Sequence, residues 1–150
     1  MANTYTSLNI HFVFSTKNRE NLIDSNLRYR LHAYIGGIAK EMKTIPLAIG
    51  GTGNHVHIFL SMSPTLSPSK CMQTIKTNSS KWIHEEFPSK IGFAWQSGYS
   101  GFSVGPRNIF HVKKYIENQE DHHKKKTFEE EYLSFLKETG IEFEEKYLWI

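Results

Sequence analysis

The sequence predicts an α+β protein built on an antiparallel sheet, and three observations lead to this class. A segment at about 7–15, within SLNIHFVFSTK, alternates polar and apolar residues as a half-buried strand does. Two longer segments carry apolar residues at helical spacing behind good capping residues. The elements follow one another in the order β-α-β-β-α-β, and further helices come afterwards. This order is typical of a ferredoxin-like split β-α-β sheet with helices on one face.

The first half of the chain is predicted to hold a helix and then a hairpin. The segment LIDSNLRYRLHAYIGGIAKEM has the helical spacing, and Asp24 or Ser25 can cap its N-terminus. The segment TIPLAIGGTGNHVHIFLSM is typical of two strands joined by a Gly-rich turn at 50–54. Its GGTG lacks the Lys-Ser/Thr pair of a phosphate-binding loop and precedes a strand, so we interpret it as a hairpin turn.

The second half is predicted to be mainly helical. The second helix, in SPSKCMQTIKTNSSKWIHEEF, starts at Ser67–Pro68 and ends before Pro88. The aromatic segment FAWQSGYSGFSV then has the composition of a strand, although two glycines interrupt it. A third helix is predicted over about 107–121, and a fourth over 127–137.

The composition predicts one compact domain over residues 1–150. Hydrophobic residues make up 39% of the chain and charged residues 22%, which is enough apolar material for a core. A single cysteine, Cys71, excludes an internal disulfide and a multi-cysteine zinc site. No run reaches about 20 apolar residues, and no basic N-terminal region precedes an apolar one. We therefore expect a cytoplasmic protein with no membrane partner.

The net charge of +3 conceals an uneven distribution. Residues 1–118 hold 13 Lys/Arg and 6 Asp/Glu, a balance of +7, whereas residues 119–150 hold 5 and 9, a balance of −4. A basic body favours a polyanionic partner, and nucleic acid is the partner that we expect.

Two histidines, His55 and His57, stand one residue apart at the start of a predicted strand. Side chains at i and i+2 of a strand point the same way, so both imidazoles can face one ion while Val56 points to the opposite face. The pair is therefore either half of a metal site or a surface accident. The sequence around it leaves both readings open.

The third predicted helix supplies a partner for the histidine pair. Ile109, Val112 and Ile116 form its expected core stripe, and Tyr115 and Gln119 lie together beside that stripe at i and i+4. The carbonyl oxygen of Gln119 is a possible third ligand. Imidazole and amide-oxygen ligands with open positions suit Mg²⁺ or Mn²⁺ that must also hold phosphate oxygens.

The motifs NHVHIFL, YIENQEDHH and WQSGYSGFSV together resemble the single-tyrosine HUH transposases of small insertion sequences, including their repeat-associated relatives. The resemblance covers nearly the whole chain. It implies that His55, His57 and Gln119 are metal ligands and that Tyr115 is the nucleophile. Family members often carry Asp immediately before the first histidine, whereas this chain has Asn54, which can hydrogen-bond but adds no negative charge.

The resemblance also implies an activity. The expected reaction is metal-dependent cleavage and rejoining of single-stranded DNA through a covalent 5′-phosphotyrosine, at ends marked by hairpins. A homodimer is expected, in which the tyrosine helix of one subunit completes the histidine pair of the other, and the protein is expected at the nucleoid. The C-terminal helices would then carry the tyrosine.

Several further residues are possible DNA contacts. His122 lies on the Tyr115 side if the helix continues, where it contacts phosphate, assists proton transfer or is simply exposed. Basic residues near the first strand and along the second helix are possible phosphate contacts. They are Lys17, Arg19, Lys70, Lys76 and Lys81. We interpret His11, in the first strand, as a structural residue.

Two other functions compete with the transposase. A domesticated relative would bind hairpin DNA without cutting it, although the intact Tyr115, His55, His57 and Gln119 argue against lost catalysis. A metal-dependent hydrolase would use the same two histidines with one of the pair at 122–123, and water would be its nucleophile.

Overall fold

The protein folds around one four-stranded antiparallel sheet in the order β2-β3-β1-β4. The structure is a computed structural model, and it describes residues 3–149. The strands are β1 (Asn9–Ser15), β2 (Ile45–Gly51), β3 (His55–Ser61) and β4 (Ser100–Ser103). This topology confirms the predicted ferredoxin-like α+β class.

Six helices complete the fold among the described residues, and the predicted caps start three of them. The helices are α1 (Ser25–Glu41), α2 (Pro68–Glu86), α3 (Ile109–Glu117), α4 (Gln119–His122), α5 (Phe128–Glu138) and α6 (Glu145–Leu148). The side chains of Asp24, Ser67 and Thr127 each accept a hydrogen bond from a backbone N–H in the first turn of α1, α2 and α5. None of the described helices is long and apolar enough to cross a membrane.

The larger core lies between the sheet and the helices α1 and α2. Alternate residues of the two central strands point into it, among them Phe12, Phe14, Val56 and Ile58, which are all fully buried. Cys71 on α2 joins this core, and burial raises the pKa of its thiol to about 11. This cysteine is therefore a buried core residue of α2.

A second, smaller core lies on the opposite face of the sheet. Val13 and Phe102 contact the buried side of α5, which consists of Phe128, Tyr132 and Leu136. The sequence predicts the helix α5 but does not say where it packs. In the structure, the C-terminal helices cover the face that α1 and α2 leave open.

A glycine lets the helix α3 approach the sheet on this second face. Gly50 of β2 pairs with His57 of β3 and lies directly under Ile116. A Cβ at Gly50 would lie only 2.3 Å from the backbone oxygen of Ile116. Only glycine permits this close approach, which brings the residues flanking Ile116 next to His57.

Some predicted boundaries differ from the structure. The third helix is interrupted at Asn118, whose ψ of 22° departs from the helical value, so it forms α3 and α4. Only Ile116 of its predicted core stripe is buried, and Ile109 and Val112 are partly exposed. In the aromatic segment, Trp95 makes an isolated bridge to Thr16, and only Ser100–Ser103 form a strand.

Candidate active site

The paired histidines lie on the face of β3 that the C-terminal helices cover. His55 and His57 are both fully buried, whereas Val56 between them points into the larger core. Their interpretation as a surface accident is therefore wrong. Two buried imidazoles on one face need polar partners, because an unpaired polar group in the interior is costly.

Hydrogen bonds set the orientation of the His55 ring. Its Nδ1 lies 2.9 Å from Asn54 Oδ1 and 3.2 Å from Thr52 Oγ1. An amide oxygen can only accept, so the contact with Asn54 is a hydrogen bond when Nδ1 carries the proton, and in that tautomer Nε2 keeps its lone pair. This nitrogen points into the site, so Asn54 holds the first histidine in the form that can bind a metal without adding a charge.

Gln119 meets this histidine from the helix α4. Its Oε1 lies 2.9 Å from His55 Nε2 and 2.9 Å from His123 Nε2, and its side chain is buried. In the tautomer protonated on Nδ1, His55 Nε2 and Gln119 Oε1 both present lone pairs, whereas in the other tautomer Nε2 donates to this oxygen. Neighbouring ligands of one octahedral Mg²⁺ lie about 3 Å apart, since each lies about 2.1 Å from the ion. The spacing of these two atoms therefore fits a shared cation.

Glu131, which the sequence analysis did not single out, lies at the centre of the site. This α5 residue is only 1% exposed. Its Oε1 accepts from His57 Nε2 at 2.9 Å and lies 3.7 Å from His55 Nε2. Its Oε2 lies 3.2 Å from His123 Nε2. Glu131 belongs to the acidic run 129–131, and the one sign of its burial was that it shares a helix face with buried apolar residues.

The carboxyl of Glu131 stays ionised despite its burial. Removal from water opposes ionisation, but hydrogen bonds from His123 and His57 outweigh it and hold the pKa of this carboxyl well below its usual range. Burial also lowers the pKa of the His55 imidazole. The site therefore combines a carboxylate with a neutral imidazole, and these are the forms that bind metal ions.

Four side chains in this cluster are arranged as a possible metal site. His55, His57, His123 and Glu131 each offer one ligand atom, and these atoms all lie within 4.8 Å of one another. This buried group could hold a metal ion. The sequence analysis proposed two of these residues together with Gln119, whose oxygen touches both His55 and His123.

Tyr115 lies at the edge of the same cluster. Its hydroxyl donates to Glu131 and lies 3.1 Å from His122 Nε2, and its ring centroid is 5.8 Å from that of His57. Burial and the adjacent Glu131 charge raise the pKa of this phenol above its usual value. The side chain is half-buried and lines a cavity of about 290 Å³. Tyr115 and the histidine pair thus meet within a single chain.

The residues on either side of the break at Asn118 lie on one face. Gln119 contacts His55 and His123, while Tyr115 and His122 contact each other. Burial lowers the pKa of His122 even though the Glu131 charge opposes this shift. The contact with the Tyr115 hydroxyl places His122 on the Tyr115 side, which the sequence predicts for a continuing helix, although the helix is interrupted at Asn118.

The predicted DNA contacts lie in two separate places. Lys17 is exposed just after β1, and its neighbour Arg19 is held by Glu129, with 3.0 Å between Arg19 Nε and Glu129 Oε1. Lys70 and Lys81 are exposed on α2, across the sheet from the histidine cluster. These residues do not line one continuous site.

Lys76 has a structural role in this fold. Its ammonium group donates to the backbone oxygens of Gln96 at 2.6 Å, Gly98 at 2.8 Å and Ser97 at 3.2 Å. Burial lowers the pKa of this amine to about 8. An ammonium group has three donors, so all of them are used to hold the loop before β4.

The fold and the site define a class of protein: an α+β domain whose sheet carries a buried His/Glu group suited to a metal ion, with a tyrosine beside it. Residues 4–119 match the family described as transposase IS200 like, and the chain belongs to this family. The predicted resemblance to transposases of small insertion sequences is therefore confirmed. No curated protein matches the chain.

Two solved structures have a similar fold. One is described as a candidate transposase from Deinococcus radiodurans R1, with 21% sequence identity and a TM-score of 0.65 over 79% of this chain and 96% of that one. The other is a REP-associated tyrosine transposase bound to a REP hairpin, with 14% identity and a TM-score of 0.61 over 82% of this chain and 73% of that one. At these identities, the likeness shows a shared fold.

Proposed function

We propose that this protein is a DNA transposase that cleaves and rejoins single-stranded DNA through a covalent bond to Tyr115. One observation carries the proposal: the Tyr115 hydroxyl contacts Glu131, which in turn contacts His57 of the buried pair. A nucleophile and a possible metal site are thus joined through one carboxylate. Family membership supports a role in DNA processing.

The proposed metal ligands are His55, His57 and Gln119, with Glu131 as an additional carboxylate. This mixture of imidazole, amide and carboxylate oxygen suits Mg²⁺ or Mn²⁺. When bound, the cation would withdraw charge from a scissile phosphate and favour the phenolate form of the nearby tyrosine. Asn54 adds no negative charge at His55 Nδ1, and the nearest carboxylate, Glu131, lies 3.7 Å from Nε2 on the other side of the ring.

The residues of the chain suggest how the chemical step proceeds. The Tyr115 oxygen attacks the phosphorus, the bond from phosphorus to the 3′ oxygen breaks, and the 3′ oxygen leaves as a hydroxyl after taking up a proton. Two groups contact the Tyr115 hydroxyl: Glu131, which accepts its hydrogen bond and stays ionised, and His122, whose imidazole can receive its proton. The product is a 5′-phosphotyrosine, which conserves the phosphodiester energy and lets a second 3′ end reverse the step.

We propose single-stranded DNA with a hairpin near the element ends as the substrate. The balance of +7 over residues 1–118 supports a nucleic-acid partner, and one structural neighbour is a transposase bound to a REP hairpin. Lys17, Lys70 and Lys81 are exposed for phosphate contacts. Three other proposed contacts, Arg19, Lys76 and His122, would have to exchange their present protein partners for phosphate.

The covalent adduct tests this function. A labelled hairpin oligonucleotide, taken from palindromes that flank the coding gene, is incubated with the protein and Mn²⁺ and then denatured in SDS. We expect a labelled protein band from the natural chain and from Tyr5→Phe, whose side chain is 90% exposed. Tyr115→Phe should abolish the band. An undiminished adduct in Tyr115→Phe would contradict the assignment of the nucleophile.

A mixing experiment tests the proposed homodimer. If one subunit supplies Tyr115 to the histidine pair of another, an inactive Tyr115→Phe chain and an inactive His57→Ala chain should regain activity when combined. Adduct formation above that of either variant alone supports a shared site. A lack of recovery, with both variants folded, would indicate a site formed within each chain, as the contact between Tyr115 and Glu131 permits.

One observation favours a second candidate function, metal-dependent hydrolysis by water. His123 joins His55, His57 and Glu131 in the metal-binding group, which is a ligand set that needs no tyrosine. Under this function, Tyr115→Phe would keep strand cleavage and no adduct would form. A protein that only shifts the hairpin in a gel would instead be a DNA-binding relative without nuclease activity.

A further inference from the structure

A third buried histidine lies behind the histidine pair. His11 of β1 is only 3% exposed, and its Nε2 lies 2.7 Å from His57 Nδ1. The two rings are stacked, with 5.0 Å between their centroids and 25° between their planes. A contact this short between two ring nitrogens requires one proton between them, so one nitrogen donates and the other accepts.

The other nitrogen of His57 determines the direction of this hydrogen bond. His57 Nε2 faces the centre of the site, where Glu131 Oε1 lies 2.9 Å away. Without an ion, Nε2 donates this hydrogen bond to Glu131, and Nδ1 accepts from His11. When Nε2 instead presents its lone pair to a cation, the proton of the neutral ring must sit on Nδ1. His57 Nδ1 then donates to His11 Nε2, and His11 must carry its own proton on Nδ1.

The surroundings of His11 suit an acceptor in a fixed position. Phe59, Phe102 and Phe135 contact the His11 ring with their centroids at 6.4, 6.1 and 5.3 Å, each in an edge geometry. The sheet sets the distance to His57, since Val13 pairs with His57 and His11 pairs with Phe59. Packing and register therefore hold the ring in place without a flexible loop.

Each proposed imidazole ligand thus has its own partner behind it. His55 Nδ1 donates to Asn54, and His57 Nδ1 has His11. Partners that accept the second proton of a metal-binding histidine orient the ring and select its tautomer, and their loss weakens metal binding about 10- to 100-fold. His11 is the only group that contacts His57 Nδ1 among the hydrogen bonds of residues 3–149.

We propose that His11 is a positioning residue of the metal centre, which accepts the Nδ1 proton of His57 and thereby holds Nε2 ready for the ion. This inference rests on the proposed function to the extent that it takes His57 as a metal ligand. It gives His11 a role beyond the structural one that the sequence suggests.

Two substitutions separate this role from simple packing. His11→Phe keeps an aromatic ring in the aromatic surroundings but removes the acceptor. His11→Gln can place an amide oxygen where Nε2 lies and so restores the acceptor without the ring. The matched control is His111→Phe, at an exposed histidine on α3. Titration calorimetry with Mn²⁺ on the full chain without DNA measures the affinity, and melting in EDTA measures the stability of each variant.

We expect His11→Phe to weaken Mn²⁺ binding about 10- to 100-fold, and His11→Gln to bind within a few-fold of the natural chain. The absorption bands of bound Co²⁺ should change in His11→Phe and return in His11→Gln. Natural affinity in His11→Phe would overturn the proposal, as would equal weakening in both variants. If neither the natural chain nor His57→Ala binds Mn²⁺, the proposed metal-dependent function fails together with the role of His11. If the natural chain binds Mn²⁺ and His11→Phe binds it equally well, only the role of His11 fails, so the two outcomes can be told apart.

Discussion

At the scale of single residues, burial determines the chemical form that each histidine presents. The first strand and the hairpin place His11, His55 and His57 on one face of the sheet, where α5 covers them. Burial is the main reason that the pKa values of His11 and His55 lie well below the usual value. Neutral rings can accept hydrogen bonds and bind metals, whereas a protonated ring can do neither.

His32 shows the same effect away from the site. Its Nε2 is buried without a hydrogen-bond partner among residues 3–149, and burial, assisted by the Arg28 charge, lowers its pKa to about 4. The unfolded chain binds this proton near pH 6.5, whereas the folded chain does so only near pH 4. Stability linked to His32 is thus fully present above pH 6.5 and decreases as the pH falls from 6.5 towards 4.

We expect His32→Gln to make unfolding less sensitive to acid. The loss of unfolding free energy between pH 7 and pH 4 should shrink by about 1–3 kcal/mol relative to the natural chain. This is the effect of a histidine whose pKa is roughly two units lower in the folded chain than in the unfolded chain. Urea denaturation at several pH values measures this. The exposed His111→Gln is the control, and an unchanged pH dependence in His32→Gln would contradict the prediction.

At the scale of elements, the position of α3 depends on the strand beneath it. Gly50 lets the Ile116 backbone approach β2, and this contact places Tyr115 and Gln119 over the histidine pair. The helical spacing of Tyr115 and Gln119 could be predicted from the sequence. The break at Asn118 could not, because no glycine or proline marks it in the sequence.

Gly50→Ala should therefore disturb both the fold and the site. The new Cβ would overlap the Ile116 backbone, which is rigid, so α3 must shift. We expect a loss of about 1–3 kcal/mol in unfolding free energy together with weaker Mn²⁺ binding. The matched control is Gly37→Ala on α1, where a Cβ meets nothing within 4 Å and the better helix propensity of alanine should stabilise the chain. Natural stability in Gly50→Ala would show that the contact is not tight in solution.

At the scale of the whole molecule, one face of the sheet carries the main apolar core and the other carries the candidate metal site. The face under α1 and α2 holds the larger apolar core. The opposite face holds the polar cluster, and α5 closes it with Glu131. The family match ends at residue 119, so this carboxylate comes from a helix outside the matched region. The site is therefore assembled from three distant parts of the chain.

A divalent cation should stabilise the whole fold through this site. Binding to the native state at about 100 times the Kd contributes about 2.7 kcal/mol, which raises the melting temperature by several degrees for a domain of this size. We expect Mn²⁺ to produce such a rise and EDTA to reverse it. Glu131→Gln should remove most of the rise because it removes the only carboxylate in the metal-binding group.

The control for this experiment is Glu130→Gln, at an exposed position one residue earlier. Its amide can still accept from Thr127, so the start of α5 is preserved. This variant should keep the natural response to Mn²⁺. An equal rise in Glu131→Gln would exclude Glu131 as a ligand, and an equal loss in both variants would point to general acidity of the helix.

The features that depend on local spacing could be predicted from the amino-acid sequence. Alternation placed His55 and His57 on one face, capping residues started α1, α2 and α5, and the order of elements specified the sheet. The motifs around the histidine pair and Tyr115 also indicated the transposase family that the family match shows. These features were predictable because residues a few positions apart define them.

The contacts between groups far apart in the chain became visible only in the three-dimensional fold. Glu131 looked like one of several solvated acids, and His11 like an ordinary strand residue, until packing brought both against His57. Lys76, which resembled a DNA contact, was bound by three backbone carbonyls. The physical reason is that burial and hydrogen-bond partners, rather than residue type, set the chemistry of a polar side chain, and both arise from contacts between segments far apart in the chain.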